Sequence, residues 1–530
     1  RMQGSRRKPG AAEPAAAEPS RFGGFNLSAV RAAASDALNR AATSDTWERA
    51  SRAASELSAR AAAAKTAAKE RLARDTATGG GGPVLPTSQP PLTPAQSEAA
   101  FSNLLSQATV PLEALRRLCF IDGVPDGVAS TPRLRALAWK LLLGYLPPDR
   151  AEWPSHLRSQ RALYAAWRQE LTVDPRRPPD DAAAVGGEAM CLASGASQPL
   201  EEAGLDHPLA DQTGSAWREW HADEDLRSEI QKDVDRTMPE YMFFSREQPT
   251  GRTHAATIAR VLFVYAKLNP GIRYVQGMNE LVAPIYYAFC AEIESDSSLR
   301  DAVAAFTDGA GQEGYEGGGA GAAGCPLPSG ASECGPCAAD SCGGRAAMMA
   351  AEADSFFCFT ALMSEVRDHF CSKLDHTALG ITARIGRFEG LLRSKDAQLA
   401  SALHRLGVAP TFYAFRWISL LMTQELDLPD VLRLWDSLLA DSRRFDLLLY
   451  VCVSVVLSLR APLLSAPDFS TAIKALQRPD AWPPLHALLV SALALYQRDH
   501  APKEHGKEND EADLVLGEMM GHAREAYPGG

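Results

Sequence analysis

The sequence predicts an all-α fold, and three observations support this prediction. From about residue 98 onward, apolar residues recur at steps of three and four positions, which is the spacing of one face of a helix. The same stretch contains no alternating β-branched runs separated by hairpin turns, which are the usual signs of strands. Pro- and Gly-rich segments interrupt the pattern only at intervals. We therefore predict a helical domain over residues 98–500.

The helical spacing is clearest in seven segments of this domain. They are residues 134–143, 158–171, 258–268, 356–370, 412–425, 431–438 and 447–459. Two other segments, at about 174–205 and 307–350, are rich in Pro, Gly, Ala and Ser. This composition is typical of surface loops, so both are predicted to be mobile inserts in the domain. Residues 501–530 are predicted to form a polar tail.

Residues 1–97 are a low-complexity region that precedes the predicted domain. The stretch 26–75 is rich in Ala with interspersed Arg, Glu and Lys, which favours helix but offers little apolar area to bury. A solvated helix, a helix that orders on a partner, a membrane-surface helix and a transit peptide are the alternatives. Residues 79–94 are predicted to be a linker. Arg1, where Met is expected, indicates a fragment or an uncertain gene start.

The charge pattern argues against a nucleic-acid partner. The chain has a formal net charge of -11, and it lacks the large basic stripe that would release counterions from phosphates. The apolar runs 281–291 and 447–459 are too short or too interrupted to span a bilayer, and no signal-peptide pattern opens the chain. The sequence therefore predicts a cytosolic protein without a transmembrane segment.

The metal-binding residue types give only weak signals. Four cysteines lie close together, and two of them have the C-x-x-C spacing of half a zinc knuckle: Cys325, Cys334, Cys337 and Cys342. Because the second half of a knuckle is missing, a metal site and an insert with free thiols both stay open. Four histidines show no metal-ligand spacing: His254, His369, His376 and His404. No Gly-rich loop ending in Lys-Ser or Lys-Thr occurs, so we predict neither a metal nor a nucleotide of the chain's own.

Asp233 and Arg236 form the first candidate functional pair. They are three positions apart, so on a helix they share a face and the carboxylate can hold the guanidinium. Pro239 indicates that the helix ends close by, which places Arg236 in the last turn. The helix dipole favours a cation there even without a function. A solvated ion pair is therefore the structural alternative.

Gln276 is the second candidate. It follows a turn signal, Asn269-Pro-Gly271, and precedes an apolar run that begins around Asn279 and is predicted to be a buried helix. A neutral amide at such a junction both donates and accepts hydrogen bonds. Gly277 is predicted to allow close backbone approach, and Asn279 to cap the helix. A Gln that caps backbone groups is the structural alternative.

Arg135 and Trp139 are four positions apart and share a helix face. Trp is typically a core anchor, and Arg can bury its stem while its head pairs with an acid. We therefore predict structural roles for both residues and not catalytic ones.

Together these residues form three short motifs that resemble those of the TBC-domain GTPase-activating proteins for Rab GTPases. The motifs of that family read RxxxW, IxxDxxR and YxQ, and here they are Arg135 with Trp139, Ile230 with Asp233 and Arg236, and Tyr274 with Gln276. They occur in the family's order. The likeness extends through residues 139–147, 415–417 and 428–436.

The resemblance implies a role for each candidate residue. Arg236 would enter the active site of a bound Rab and neutralise charge on the transferring phosphoryl oxygens, and Gln276 would replace the Rab's own water-positioning Gln. The residues that would support them are Ile230, Asp233, Thr237, Tyr274, Gly277, Asn279, Arg135 and Trp139.

The resemblance also implies a TBC fold of two helical subdomains and a GTP-bound Rab as partner. GTP and Mg²⁺ would be carried by the Rab, and the chain would act only in trans, with no cofactor and no free substrate of its own. It would regulate vesicle trafficking from the cytoplasm, peripherally at endomembranes, with transient membrane association through the Rab. A non-catalytic Rab-binding scaffold with the same fold is the alternative. Which Rab is the substrate is not encoded in these motifs.

Overall fold

The computed structural model describes residues 92–172 except Gly127 and Ala129, then 216–295, 339–370, and 380–500 except Arg444. Within these ranges the chain is helical and contains no strand, apart from one isolated antiparallel bridge between Thr109 and Asp149. This confirms the all-α prediction. The following predicted features lie wholly or mostly outside the described residues: the N-terminal region, the 174–205 insert, most of the 307–350 insert, the polar tail, His376 and the cysteine cluster.

Sixteen α-helices lie in the described parts of the chain. In order they are α1 Pro94–Ser106, α2 Leu112–Ile121, α3 Thr131–Leu142, α4 Trp153–Glu170, α5 Ala216–Val234, α6 Pro249–Leu268, α7 Met278–Ser295, α8 Ala339–Val366, α9 Ile381–Lys395, α10 Ala397–Arg405, α11 Ala414–Ser419, α12 Leu428–Ala440, α13 Asp446–Ser458, α14 Arg460–Leu464, α15 Phe469–Leu476 and α16 Leu485–His500. Short 3-10 turns lie at Arg150–Glu152, Arg367–His369, Pro410–Phe412 and Pro479–Ala481.

Local sequence explains where several helices begin. Thr93 and Gln96 form a reciprocal capping box at the start of α1, which satisfies two backbone donors that have no intrahelical partner. Asp396 accepts a hydrogen bond from the Leu399 amide at 2.8 Å and so caps α10. Asp468 caps α15 in the same way. These caps fix helix boundaries through residues that the chain itself supplies.

The helices pack in two groups with α12 between them. In the first group α7 packs against α3, α6 and α8, while α5 lies on α6 and α4 lies on α8. In the second group α13 packs against α9, α11 and α16, and α10 contacts α9 and α14. Helix α12 contacts α2, α3 and α7 on one side and α13 and α16 on the other. This arrangement corresponds to the two helical subdomains that the resemblance implies.

Helix α8 begins earlier than the sequence pattern suggests. It starts at Ala339, inside the range 307–350 that was predicted to be an insert. Residues 346–353 contain mainly Ala and Met, which favour helix, so the insert prediction is wrong for its last part. Within the described residues, the segment Gly344–His369 has the length and apolarity of a membrane-spanning helix, but 67% of its apolar window is buried inside the protein.

The predicted helix over 412–425 is wrong for its second half. Helix α11 ends at Ser419, and the chain then turns because Leu421 and Met422 adopt positive φ angles of 52° and 65°. The indole of Trp435 donates a hydrogen bond to the Leu421 carbonyl at 3.1 Å. Arg416 forms an ion pair with the buried Glu425. Tertiary contacts thus hold a non-helical loop, residues 420–426, where local periodicity favours helix.

Arg135 and Trp139 are both buried, and their shared partner is Asp436 in α12. Asp436 is fully buried and accepts hydrogen bonds from Arg135 Nε at 3.1 Å and Trp139 Nε1 at 2.8 Å. Its other oxygen accepts the Val124 amide at 3.0 Å. One carboxylate therefore joins α3 and the preceding loop to α12. The sequence does not identify this partner, because it lies about three hundred positions away.

Replacing Asp436 with Ala is expected to lower the free energy of unfolding by about 3–5 kcal/mol, because the buried Arg135 guanidinium loses its principal counter-charge. Urea denaturation of the two proteins measures the difference. Asp126 provides the matched control: it also pairs with Arg135, at 2.9 Å, but its side chain is 64% exposed. Its replacement with Ala is expected to cost at most about 1 kcal/mol. Equal losses for the two variants contradict the prediction.

Candidate functional site

Arg236 lies in a turn just beyond the end of α5. The sequence prediction placed it in the last helical turn, but α5 ends at Val234. The amides of Arg236 and Thr237 bond back three residues, to the Asp233 and Val234 carbonyls, each at 3.2 Å. This tighter turn, followed by Met238 with φ 42°, ends the helix before Pro239. The Arg236 side chain is 58% exposed and therefore accessible to a partner.

Asp233 connects this turn to the segment that carries Gln276. One carboxylate oxygen accepts a hydrogen bond from Arg236 Nη2, and the other accepts one from the Tyr274 hydroxyl at 2.6 Å. Asp233 is buried. Burial and the Asp233 charge together raise the pKa of Tyr274 well above its ordinary value, so the phenol remains a hydrogen-bond donor. Asp233 thus orients Arg236 and anchors Tyr274 at the same time.

Asn279 is the second connection between the two segments. Its amide nitrogen donates to Thr237 Oγ1 at 2.9 Å and lies 3.3 Å from the Asp233 carbonyl. Its amide oxygen accepts the Gly277 amide at 3.1 Å. Asn279 lies within the first turn of α7 and bonds backward and across to α5, so it is not the helix cap that the sequence predicted. Ile230, buried on α5, anchors the same helix in the core.

Gln276 occupies the junction immediately before α7. Its neighbours Val275 and Met278 are buried, whereas its own side chain is half-buried. Its amide makes no hydrogen bond with any residue in the described parts of the chain. A backbone fixed on both sides, and an amide with no partner among the described residues, suit a group that binds an external atom.

Gly277 has a conformation that only glycine adopts readily. Its φ is +103°, and a Cβ added there would lie 2.7 Å from Leu420 Cδ2. Leu420 begins the loop 420–426, so this loop packs against the turn that carries Gln276. In the structure the group that a side chain at position 277 would meet is the protein's own Leu420 side chain.

Replacing Gly277 with Ala is expected to destabilise the protein by about 1–3 kcal/mol, through backbone strain and the clash with Leu420. It is also expected to shift Gln276, and displacements of about 1 Å near reacting groups commonly cost about 10² in rate. Gly271→Ala is the matched control in the same segment, because nothing lies within 4 Å of the added Cβ. Thermal unfolding of both variants measures the first effect, and an unchanged midpoint for Gly277→Ala contradicts it.

Glu280, which the sequence interpretation missed, completes the site. It is 5% exposed, and its carboxylate accepts hydrogen bonds from the amides of Asn279 and Gln424. Burial raises the pKa of Glu280 to about 7 against these hydrogen bonds. An acid that opens an otherwise apolar helix is the sequence signal that would have indicated it.

The buried histidines belong to the core and not to this site. Burial lowers the pKa of His254 to about 4 and that of His369 to about 3. His254 stacks on Phe243 with ring centroids 3.8 Å apart and contacts the Tyr286 hydroxyl at 3.0 Å. Among the side chains that the structure describes, no group of three or more His, Cys, Asp or Glu residues is arranged to hold a metal ion.

Comparisons with known proteins agree with the arrangement of helices and motifs. Residues 210–464 match the model of the Rab-GTPase-TBC domain family. The chain is 31% identical over 439 residues to TBC1 domain family member 13 of Homo sapiens, covering 72% of this chain and 92% of the relative. It is 28% identical over 500 residues to a TBC domain-containing protein of Schizosaccharomyces pombe, covering 71% and 69%.

Its fold also resembles the crystal structure of the Ypt/Rab-GAP domain of Gyp1p. The TM-score is 0.52 at 20% identity, and the match covers 77% of this chain and 100% of the other. At this identity, the likeness supports the fold alone.

Proposed function

The chain belongs to the Rab-GTPase-TBC domain family, and from this premise we propose that it accelerates GTP hydrolysis by a GTP-bound Rab by supplying Arg236 and Gln276 in trans. The observation that carries the proposal is the connection between these two residues. Asp233 bonds to both Arg236 and Tyr274, and Asn279 bonds to the turn on which Arg236 lies. The two side chains are thus presented by a single hydrogen-bonded unit.

Arg236 is suited to stabilise negative charge on the phosphoryl group. Asp233 engages only one terminal nitrogen, so the remaining N–H donors of the planar guanidinium are available to phosphate oxygens. The Arg236 side chain of the Arg236–Asp233 ion pair is more than half exposed, and such exposed pairs contribute at most about 1 kcal/mol to stability. Asp233 therefore directs the guanidinium without holding it so tightly that it cannot engage a ligand.

Gln276 is suited to orient the attacking water. Its amide can accept a hydrogen bond from the water and donate one to the GTPase backbone. The turn before α7 is held by Gly277 and Leu420 and by the Tyr274 hydroxyl, so little reorganisation accompanies binding. GTP and Mg²⁺ belong to the partner, and the chain contributes positioning and charge alone.

The proposed setting follows from the same chemistry. A GTP-bound Rab on an endomembrane would recruit the chain from the cytoplasm, so membrane association would be transient and would pass through the Rab. The cellular role would be regulation of vesicle trafficking. A scaffold that binds a Rab without catalysis is the competing function, and retention of both Arg236 and Gln276 favours activation over it.

Single-turnover GTP hydrolysis by a panel of purified, GTP-loaded Rabs, with and without the full chain, tests the proposed function. Acceleration of one or a few Rabs by about 10³ or more is expected. Tight binding to a GTP-loaded Rab with no acceleration would establish the scaffold function instead.

A further inference from the structure

Glu280 lies where three segments of the candidate site meet. Its own helix, α7, begins just after Gln276. Asn279, next to it in the chain, bonds to the turn after α5, and Gln424 donates a hydrogen bond to it from the loop 420–426. Because Glu280 is 5% exposed, its carboxyl interacts with these groups and hardly with bulk water.

The charged groups around Glu280 disfavour its negative charge. Asp233 at the end of α5 and Glu240 in the following loop both act on it as like charges. Tyr274, from the turn before α7, is a neutral phenol that bonds to Asp233. In the loop 420–426, Glu425 is already paired with Arg416. The main groups that stabilise the ionised form of Glu280 are the side-chain amides of Gln424 and Asn279.

Asn279 has more acceptors than hydrogens on its amide nitrogen. The two hydrogens face Thr237 Oγ1 at 2.9 Å, Glu280 Oε1 at 3.2 Å and the Asp233 carbonyl at 3.3 Å. Thr237 donates its own hydrogen to the Asp233 carbonyl, so it accepts from Asn279. Glu280 and the Asp233 carbonyl thus compete for the second hydrogen of Asn279.

We propose that Glu280 is a positioning residue whose gain or loss of a proton sets how firmly Asn279 holds the turn that carries Arg236. An ionised carboxylate is the stronger acceptor and draws the amide hydrogen away from the Asp233 carbonyl. A protonated carboxyl accepts more weakly, so the second amide hydrogen of Asn279 bonds to the Asp233 carbonyl at the end of α5. The proton exchanges with water, and no bond other than O–H is made or broken.

The balance between the two forms falls near neutral pH. Burial raises the pKa of Glu280 to about 7, above the usual range of a Glu carboxyl. The folded protein therefore holds this proton at about pH 6 and releases it by about pH 8. An unfolded chain releases it near pH 4. Between about pH 4 and about pH 7 the folded protein therefore binds more protons than the unfolded chain, so the contribution of Glu280 to folding stability declines as the pH rises through that range.

Amide hydrogen exchange of residues 233–238 in the full chain, at about pH 6 and about pH 8, tests the proposal without any partner. After correction for intrinsic exchange, we expect protection in the unsubstituted protein to fall about fivefold at the higher pH, the effect of weakening one hydrogen bond. Glu280→Gln, which mimics the uncharged form, is expected to show equal protection at both. Loss of protection to the same extent in both proteins overturns the proposal, as does constant protection in the unsubstituted protein.

Glu240→Gln supplies an independent check at an exposed position. Removing this charge relieves a repulsion that raises the pKa of Glu280, so the pH at which protection falls is expected to move downward. A midpoint that stays in place or moves upward overturns the proposal, even if Glu280→Gln does not fold.

The consequence for catalysis rests on the proposed function and is measured separately. Acceleration of Rab GTP hydrolysis, relative to the Rab's own rate at the same pH, is expected to decline from about pH 6 to about pH 8 with the unsubstituted chain. With Glu280→Gln it should stay constant, and a parallel decline counts against the proposal. If no Rab is accelerated at either pH, the proposed function fails, whereas the exchange experiment still decides the role of Glu280.

Discussion

Replacing Arg236 with Ala is expected to lower the accelerated rate of GTP hydrolysis by a factor of about 10³ to 10⁵, which removes most or all of the activation. In the proposed mechanism the guanidinium brings the positive charge to the phosphoryl oxygens, since Asp233, Tyr274 and Gln276 are anionic or neutral. Its loss corresponds to roughly 4–7 kcal/mol of barrier. Single-turnover hydrolysis at saturating concentration of the chain measures it.

Arg227→Ala is the matched control for this substitution. Arg227 lies on α5, the helix that precedes Arg236, and pairs with Glu224 three positions before it, at 3.6 Å, so it repeats the spacing of Asp233 and Arg236. Its replacement is expected to change the rate by no more than about twofold. Arg236→Lys keeps the charge but loses the planar fork, and it should resemble Arg236→Ala. An unchanged rate for Arg236→Ala, on the Rab that the unsubstituted chain accelerates most, would contradict the proposed role of Arg236.

Stability separates a lost function from a lost fold. Because the Arg236 side chain is 58% exposed, its removal is expected to cost at most about 1 kcal/mol of unfolding free energy. Asp233 keeps its hydrogen bond from Tyr274 in that variant. A folded Arg236→Ala protein that binds GTP-loaded Rab but does not accelerate hydrolysis therefore isolates the chemical contribution.

The fold was largely predictable because helical periodicity is a local property. Apolar positions along α3 and α6 repeat every three or four residues, so a short window of sequence is sufficient. The 420–426 loop was not predictable by the same means. Leu421 and Met422 are not Gly or Pro, the residue types that usually indicate a turn. Their positive φ angles are stabilised by Trp435 and by the Arg416–Glu425 ion pair. These contacts join residues nine and fourteen positions apart, which is more than the three- and four-residue steps of a helix reveal.

The candidate site was predictable as a set of residues but not as a network. Motif spacing indicates Arg236 and Gln276 individually, and it places Asp233 on the face of Arg236. It cannot show that the second oxygen of Asp233 meets Tyr274, forty-one positions later. It also cannot show that Glu280 is buried between Asn279 and Gln424. Burial and shared hydrogens exist only after the chain has folded.

Replacing Gln276 with Ala is expected to lower the accelerated rate by about 10² to 10³, the usual effect of removing one preorganised hydrogen-bond donor at a transition state. Binding to GTP-loaded Rab should be retained, because in the proposed mechanism the side chain acts on a water, and its Ala replacement should leave Gly277 and the turn intact. Single-turnover rates and the dissociation constant, measured on the same Rab, give the two quantities.

Gln231→Ala is the control, since this amide lies on α5 and bonds to Asp235, outside the Asp233–Tyr274 connection. Gln276→Asn keeps the amide but retracts it by one methylene, and displacement on this scale commonly costs about 10². It should therefore be closer to Gln276→Ala than to the unsubstituted chain. If Gln276→Asn accelerates hydrolysis as much as the unsubstituted chain, the amide of Gln276 does not act by positioning the water.

The double variant, with Arg236 and Gln276 both replaced by Ala, shows whether the two residues act together on one transition state or contribute independently. If Arg236 and Gln276 work as a unit, the combined loss is smaller than the product of the two single losses, because either removal already disables the arrangement. The hydrogen bonds that Arg236 and Tyr274 donate to Asp233 favour this outcome, since they couple the two segments mechanically. Fully multiplicative losses would mean that the shared network positions each residue separately.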